Sequence, residues 1–245
     1  MTDTPATNPL CSYLEWDSGF FDRRIGRLNA PRLDDAIVAE ALQWCGENRI
    51  DCLYFLADPD HAETCRLAES NRFQLVDVRL TYERDVEQTA AREGGNIVRF
   101  AREDDLQTLR AIARVSHYDS RFYFDSHFGR AKCDLFYETW IENSFRGFAQ
   151  AVLVAEGDGA PAAYLTCHYK DRESQIGLVG VSRDHQGRGL GSALVSSFLA
   201  WSQQQGASRA RVVTQGRNVG AQRLYERTGF LLSAQQLWYH RWFPR

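Results

Sequence analysis

A chain of 245 residues, 44% of them hydrophobic and 25% charged, can bury one large core or two modest ones and is too apolar to be disordered. Its formal net charge of -3 argues against a general binder of nucleic acid or anionic membrane, so any anion site must be local. Six cysteines (Cys11, Cys45, Cys52, Cys65, Cys133, Cys167) form no CxxC pair and no regular spacing; they read as small core residues, with no disulfide framework and no metal expected.

The opening "MTDTPATNPL" has neither a basic nor an apolar stretch, and no apolar run approaches the roughly 18 residues of a membrane span. The expectation is a cytoplasmic, unanchored protein. Apolar spacing predicts a helix over 34–49, a buried strand over 52–57, a helix over 61–72 and a long alternating strand over 73–85. Residues 86–95, "VEQTAAREGG", lose hydrophobicity and end in paired glycines, as a linker does. A strand over 96–101 and helices over 103–115 and 133–145 follow, the helices separated by an aromatic and polar loop. Three β-rich runs, 150–157, 162–169 and 174–181, are joined by short turn signals and read as an antiparallel meander. Next come a helix from Ser192 to a cap at Gly206, a strand over 208–215, a helix over 218–229 and a strand over 230–242. The fold class is therefore mixed α/β, in two segments, 1–90 and 96–245.

A fixed offset of 157 aligns Arg66–Arg84 with Arg223–Arg241 and matches eight of nineteen positions, among them Arg66 with Arg223, Glu69 with Glu226 and Phe73 with Phe230. In this register Ala68 stands opposite Tyr225 and Arg72 opposite Gly229. As a true repeat, the first segment would be a partial copy that keeps a scaffold without its chemistry. As chance, it is two similar helix-strand units.

"DHQGRGLGSALV", 184–195, places Gly187, Gly189 and Gly191 between a strand end and a helix start. Bare backbone there lets N–H groups converge on an anion such as a phosphate, aided by the helix dipole. A P-loop would need GK[ST], and the dinucleotide fingerprint would need Gly or Ala where Ser192 stands. The preceding meander also differs from the first βαβ unit of a parallel sheet.

"QGRGLG" (186–191) resembles the Q/R-x-x-G-x-G/A motif with which the GNAT superfamily of N-acetyltransferases binds the pyrophosphate of acetyl-CoA. "IGLVGV" (176–181) resembles that fold's central strand, and "NVGAQRLYERTGF" (218–230) its N-x-x-A-x-x-x-Y-x-x-x-G-F helix. The resemblance runs from about 97 to 242. It implies a GNAT fold behind a degenerate, partial GNAT-like N-terminal domain, with acetyl-CoA as cosubstrate. It further implies that Gln186, Gly187, Arg188, Gly189, Leu190, Gly191 and Ser192 surround the pyrophosphate. Backbone groups of Val179 and Val181, with Asn218, would meet the pantetheine arm, and Tyr225 would be the general acid.

"LEWDSGFFDRRIGRL" (14–28), "DSRFYFD" (119–125), "FYETWIENSFRG" (136–147) and "TQGRN" (214–218) resemble the dTDP-fucosamine acetyltransferases of that superfamily. This implies a nucleotide-linked amino sugar, dTDP-4-amino-4,6-dideoxygalactose, as acceptor, a place in surface-polysaccharide synthesis, and a homodimer. The segment from Phe124 to Lys132, which should lie over the acceptor, does not align.

Acyl transfer from a thioester to an amine needs a neutral amine, a stabilised oxyanion and a proton for the departing thiolate. Gly177 and Gly180 point to a bulge or a close backbone approach in the central strand. Asn218 and Tyr225 are seven residues apart, so one helix face addresses two points about 10 Å apart. A phenol near pKa 10 is protonated at neutral pH, as an acid must be. No base is evident beyond Glu173, a turn residue, so water is expected to carry off the amine proton. For the acceptor, Arg121 is placed on a phosphate and Phe122 and Tyr137 against base or sugar, with Trp140 as packing and Arg223 and Arg227 as surface charge. The alternatives are another amine, such as a protein N-terminus or aminoglycoside, and a non-enzymatic acyl-CoA sensor.

Overall fold

Residues 9–86 and 98–244 are described by the computed structural model, and the chain divides into two compact units, Met1–Arg79 with Gln235–Arg245, and Leu80–Ala234. The linker expected at 86–95 falls, apart from Val86, outside the described residues.

The first unit opens with β1 (Cys11–Tyr13), α1 (Glu15–Phe21) and β2 (Ile25–Leu28). These pieces are too short to show a hydrophobic period, and apolar spacing alone does not find them. The predicted elements follow: α2 (Asp35–Glu47), β3 (Cys52–Ala57), α3 (Ala62–Ser70) and the start of β4 (Gln74–Asp85). β2 runs antiparallel to β1 and parallel to β3, with Ile25 opposite Cys52. The far side of β3 pairs antiparallel with the end of the C-terminal strand, Leu237–Trp242. That end therefore packs in the first unit, whereas the segment boundary read from the sequence groups it with the second. Val38, Cys45, Leu53, Phe55, Phe73 and Tyr239 meet in the core. All six cysteines are free thiols, five of them buried.

The second unit carries β5 (Val98–Phe100), α4 (Leu106–Ser116), α5 (Arg121–Phe124), α6 (Arg130–Asn143), β6 (Ala151–Gly157), β7 (Ala160–Lys170), β8 (Glu173–Val181), α7 (Leu190–Gln204), β9 (Arg209–Gln215), α8 (Val219–Arg227) and the start of β10 (Leu231–Trp242). Its strand order is β5-β6-β7-β8-β9-β4. β6, β7 and β8 form the expected antiparallel meander. The two hairpins turn on Asp158–Gly159 and Asp171–Arg172, all four at positive φ, the backbone that a two-residue turn between twisted strands requires.

The offset of 157 also relates the secondary-structure elements. It maps α3 onto α8 and β4 onto β10 with identical ends, and α2 onto the last thirteen residues of α7. The caps correspond as well. The His61 side chain accepts from the Thr64 N–H as that of Asn218 does from Ala221, and Arg72 (φ 64°) sits where Gly229 does (φ 82°). The copies differ at the helix start. Asp34 caps α2 with its own carboxylate, accepting from the Ile37 N–H at 2.7 Å, where α7 begins on Gly189 with no side-chain cap. A built-in negative charge there disfavours a bound anion.

Candidate active site

β8 and β9 are parallel and pair only from Glu173–Ile176 against Arg209–Val212. Past that point the two strands part, leaving Gly177–Val181 and Val213–Gln215 unpaired with each other. Two glycines lie in the parted segment of β8. Leu165 pairs with Val179 and Cys167 with Ile176, so Gly177 and Leu178 together oppose Thr166, the bulge that two glycines in one strand signal. The Leu178 N–H displaced by the bulge is taken up by the Thr166 hydroxyl at 2.8 Å. A Cβ on Gly177 would lie 2.5 Å from His168 Nε2, and one on Gly180 2.5 Å from the Tyr164 ring. Val179 and Val181, both half-buried, flank Gly180 on the parted segment.

The loop that leaves β8 is held from the side. His185 bonds Ser182 Oγ through Nδ1 at 2.8 Å and Asp158 through Nε2 at 3.1 Å, and Arg188 reaches the same carboxylate at 3.3 Å. Gly187 and Gly189 have φ of 76° and 84°, a backbone that L side chains rarely adopt. Gly191 serves a different need: a Cβ there would stand 3.1 Å from Leu224, so its absence lets α8 close on the start of α7. Among the described residues, the backbone N–H groups of Gly187 through Ser192 donate to no acceptor, and the first bond of α7 is from Ala193 to the Gly189 carbonyl. Six successive open donors at a helix N-terminus are an arrangement that favours an anion. Gln186 is exposed, and its amide reaches the Val181 carbonyl at 3.4 Å.

Asn218 and Tyr225 lie on α8, which begins directly after β9. Asn218 Oδ1 caps the helix by accepting from the Ala221 N–H at 3.0 Å, which leaves its amide nitrogen for a ligand. Tyr225 is buried between Tyr82 and Phe230, each ring 6.1 Å away, next to the Leu224 that touches Gly191. Burial pushes its pKa above the usual phenol range, so the hydroxyl stays protonated. Arg223 and Arg227 are exposed. Arg227 lines a groove of about 910 Å³ with Ser192, Arg209 and Arg84.

On the acceptor side the candidates separate. Phe122 is buried against Phe128 (5.3 Å) and Phe136 (4.7 Å), a packing position and not a platform for a base. Tyr137 is buried in a stack with Tyr123, Trp140 and, at 4.4 Å, His117. The half-buried Arg121 lies over the neighbouring Phe122 ring, 4.2 Å from its centroid. Sequence reasoning missed His117 and Tyr164, whose Nε2 and Oη are 2.7 Å apart. They are 47 residues apart in the chain, and the signal that could have joined them is the glycine whose missing Cβ admits the Tyr164 ring. It also missed Phe124, exposed and covered by Arg217 at 4.1 Å. Among the described residues no group of three or more His, Cys, Asp and Glu is arranged to hold a metal ion, and no helix is long and apolar enough to cross a membrane.

The acetyltransferase (GNAT) family matches residues 112–230, from within α4 to just past the end of α8. The chain is 29% identical over 138 residues to the spore coat polysaccharide biosynthesis protein SpsD of Bacillus subtilis, covering 56% of this chain and 48% of that one. It is 34% identical over 94 residues to the mycothiol acetyltransferase of Beutenbergia cavernae, covering 38% of this chain and 30% of that one. The chain thus spans about half or less of the curated relatives it matches. A GCN5-related N-acetyltransferase from Sphaerobacter thermophilus shares the fold, with a TM-score of 0.69 and 15% identity over 95% of this chain and 76% of that one.

Proposed function

We propose, from the match of residues 112–230 to the acetyltransferase (GNAT) family, that this chain transfers an acetyl group from acetyl-CoA directly to the amine of a nucleotide-linked sugar, dTDP-4-amino-4,6-dideoxygalactose. One observation carries the acyl-CoA half of this reading: six open N–H donors at the start of α7, beside a strand that parts from its neighbour. The polysaccharide-biosynthesis relative supports the sugar half.

In this reading the donors of Gly187 through Ser192 hold the pyrophosphate, and the parted edge of β8 around Val179 and Val181 offers backbone groups to the pantetheine arm. Acetyl-CoA supplies an activated acyl carbon. Asn218 steadies the arm through its amide nitrogen, and Tyr225 hands its proton to the departing sulfur. The amine proton leaves to water. His117 cannot take it: burial lowers its pKa to about 4, and Nε2 is occupied by Tyr164. Tyr164 is fully buried, so the arrangement that leaves no phenolic proton unpaired has Tyr164 donating to Nε2, with the imidazole proton on Nδ1.

The test is thiol release from acetyl-CoA with the 4-amino sugar nucleotide, its 3-amino isomer and a peptide amine as parallel acceptors. Selective turnover of the first supports the reading. Turnover of the peptide alone keeps the acetyltransferase and removes the sugar.

A further inference from the structure

The stretch from the end of α4 through the end of α5 presents two aromatic rings to solvent, Tyr118 at 47% and Phe124 at 59% exposure. Each has a guanidinium on one face: Arg183 lies 5.9 Å from the Tyr118 ring centroid and Arg217 4.1 Å from that of Phe124. The two arginines come from the strands that part. Arg183 is two residues beyond the end of β8, and Arg217 two residues beyond the end of β9. Residues 118–124 therefore lie across the open end of the split, touching both of its lips. A large ring held in solvent under an arginine is already ordered, so a planar ligand can cover its free face at little entropic cost. The guanidinium beside it is held by the ring and suits a phosphate better than an ammonium would. Asp119 supplies a nearby countercharge to Arg217.

We infer that Phe124 and Arg217 bind the nucleoside diphosphate of the acceptor, the base stacking on Phe124 and the diphosphate meeting Arg217, with Tyr118 and Arg183 at the opposite lip. The stacking and phosphate roles expected at Phe122 and Arg121 thus pass to Phe124 and Arg217. This inference rests on the reading of the acceptor as a nucleotide-linked amine. The open donors of Gly187 through Ser192 are a separate anion site.

The experiment is calorimetric titration of the acetyl-CoA-saturated protein with dTDP, for wild type and for Phe124→Ala, Phe124→Trp and Arg217→Gln. Loss of a base-stacking ring should weaken dTDP by about tenfold or more in Phe124→Ala, with Phe124→Trp within about threefold of wild type. Arg217→Gln should weaken dTDP and flatten its salt dependence. Acetyl-CoA affinity, measured for each variant, reports that the fold is intact. Absence of dTDP binding to wild type, displacement of dTDP by acetyl-CoA, or equal affinity in Phe124→Ala overturns the assignment. Turnover of the sugar nucleotide with equal KM in wild type and Phe124→Ala would remove this site and leave the proposed function standing. Loss of dTDP binding in Phe124→Ala without acetylation of any nucleotide-linked amine would do the reverse.

Discussion

Tyr164 Oη and His117 Nε2, 2.7 Å apart, join the end of α4 to the strand beside the parted edge of β8, and the Tyr164 ring occupies the space that Gly180 leaves bare. The pair makes stability depend on pH. His117 has its pKa lowered by burial from 6.5 to about 4 in the folded protein. The unfolded chain therefore binds more protons between those values, so the contribution of His117 is complete above pH 6.5 and is lost as pH falls toward 4. Urea unfolding midpoints measured from pH 7 to 4 should fall for wild type and fall less for His117→Gln. Equal slopes would mean that His117 does not titrate with unfolding. His117→Ala should also cost about 1–3 kcal/mol at pH 7, because the buried phenol loses its acceptor.

Tyr225→Phe should retain the ring between Tyr82 and Phe230 and lose only the hydroxyl with its proton. Removal of a positioned general acid lowers turnover by about 10² to 10⁴-fold. We expect kcat to fall in that range, with acetyl-CoA affinity and thermal stability unchanged. Full activity in the variant would assign the acid role elsewhere.

The glycines of the loop should separate by mechanism. Gly189→Ala forces a side chain into φ 84°, at a cost of about 1–2 kcal/mol that rigid placement of the loop can only absorb by moving the donors. Its KM for acetyl-CoA should rise by roughly tenfold or more. Gly191→Ala has ordinary backbone and instead presses on Leu224 at 3.1 Å, so it should mainly lower the melting temperature. Steady-state kinetics and thermal unfolding on the two variants distinguish the outcomes, and identical behaviour would refute the division of labour.

Most of this site was legible where chemistry demands a particular backbone. Gly187 and Gly189 announce positive φ, Gly177 the bulge, and Asn218 a helix start, because each feature is local. The acceptor side was not. α5 is a single turn, too short for a period to say whether Phe122 or Phe124 faces the core, and the structure buries the first and exposes the second. His117 gains its meaning from Tyr164 on a distant strand, a contact that only the folded sheet creates. β1 and β2 were invisible for a related reason, since three or four residues cannot show alternation.

The repeat leaves a measurable trace of its divergence at Arg72. The turn after α3 copies the turn after α8: the Phe73 N–H bonds the Ala68 carbonyl at 2.9 Å as the Phe230 N–H bonds that of Tyr225 at 2.9 Å. Both turns need a left-handed residue, supplied by Gly229 in one copy and by Arg72, at φ 64°, in the other. An L side chain in that conformation costs about 1–2 kcal/mol, partly offset by the greater freedom glycine has when unfolded. Burial disfavours the charge of Arg241, and the like charge of Arg72 adds a smaller push in the same direction. Arg72→Gly should therefore stabilise the protein by about 0.5–1 kcal/mol, raising the melting temperature by about 1–4 °C. Gly229→Ala should destabilise it, since the new methyl would meet the strained φ and stand 3.1 Å from Arg84 Nη1. Differential scanning calorimetry on the two variants tests the pair, and a lower melting temperature for Arg72→Gly would show that the arginine makes contacts worth more than its backbone strain.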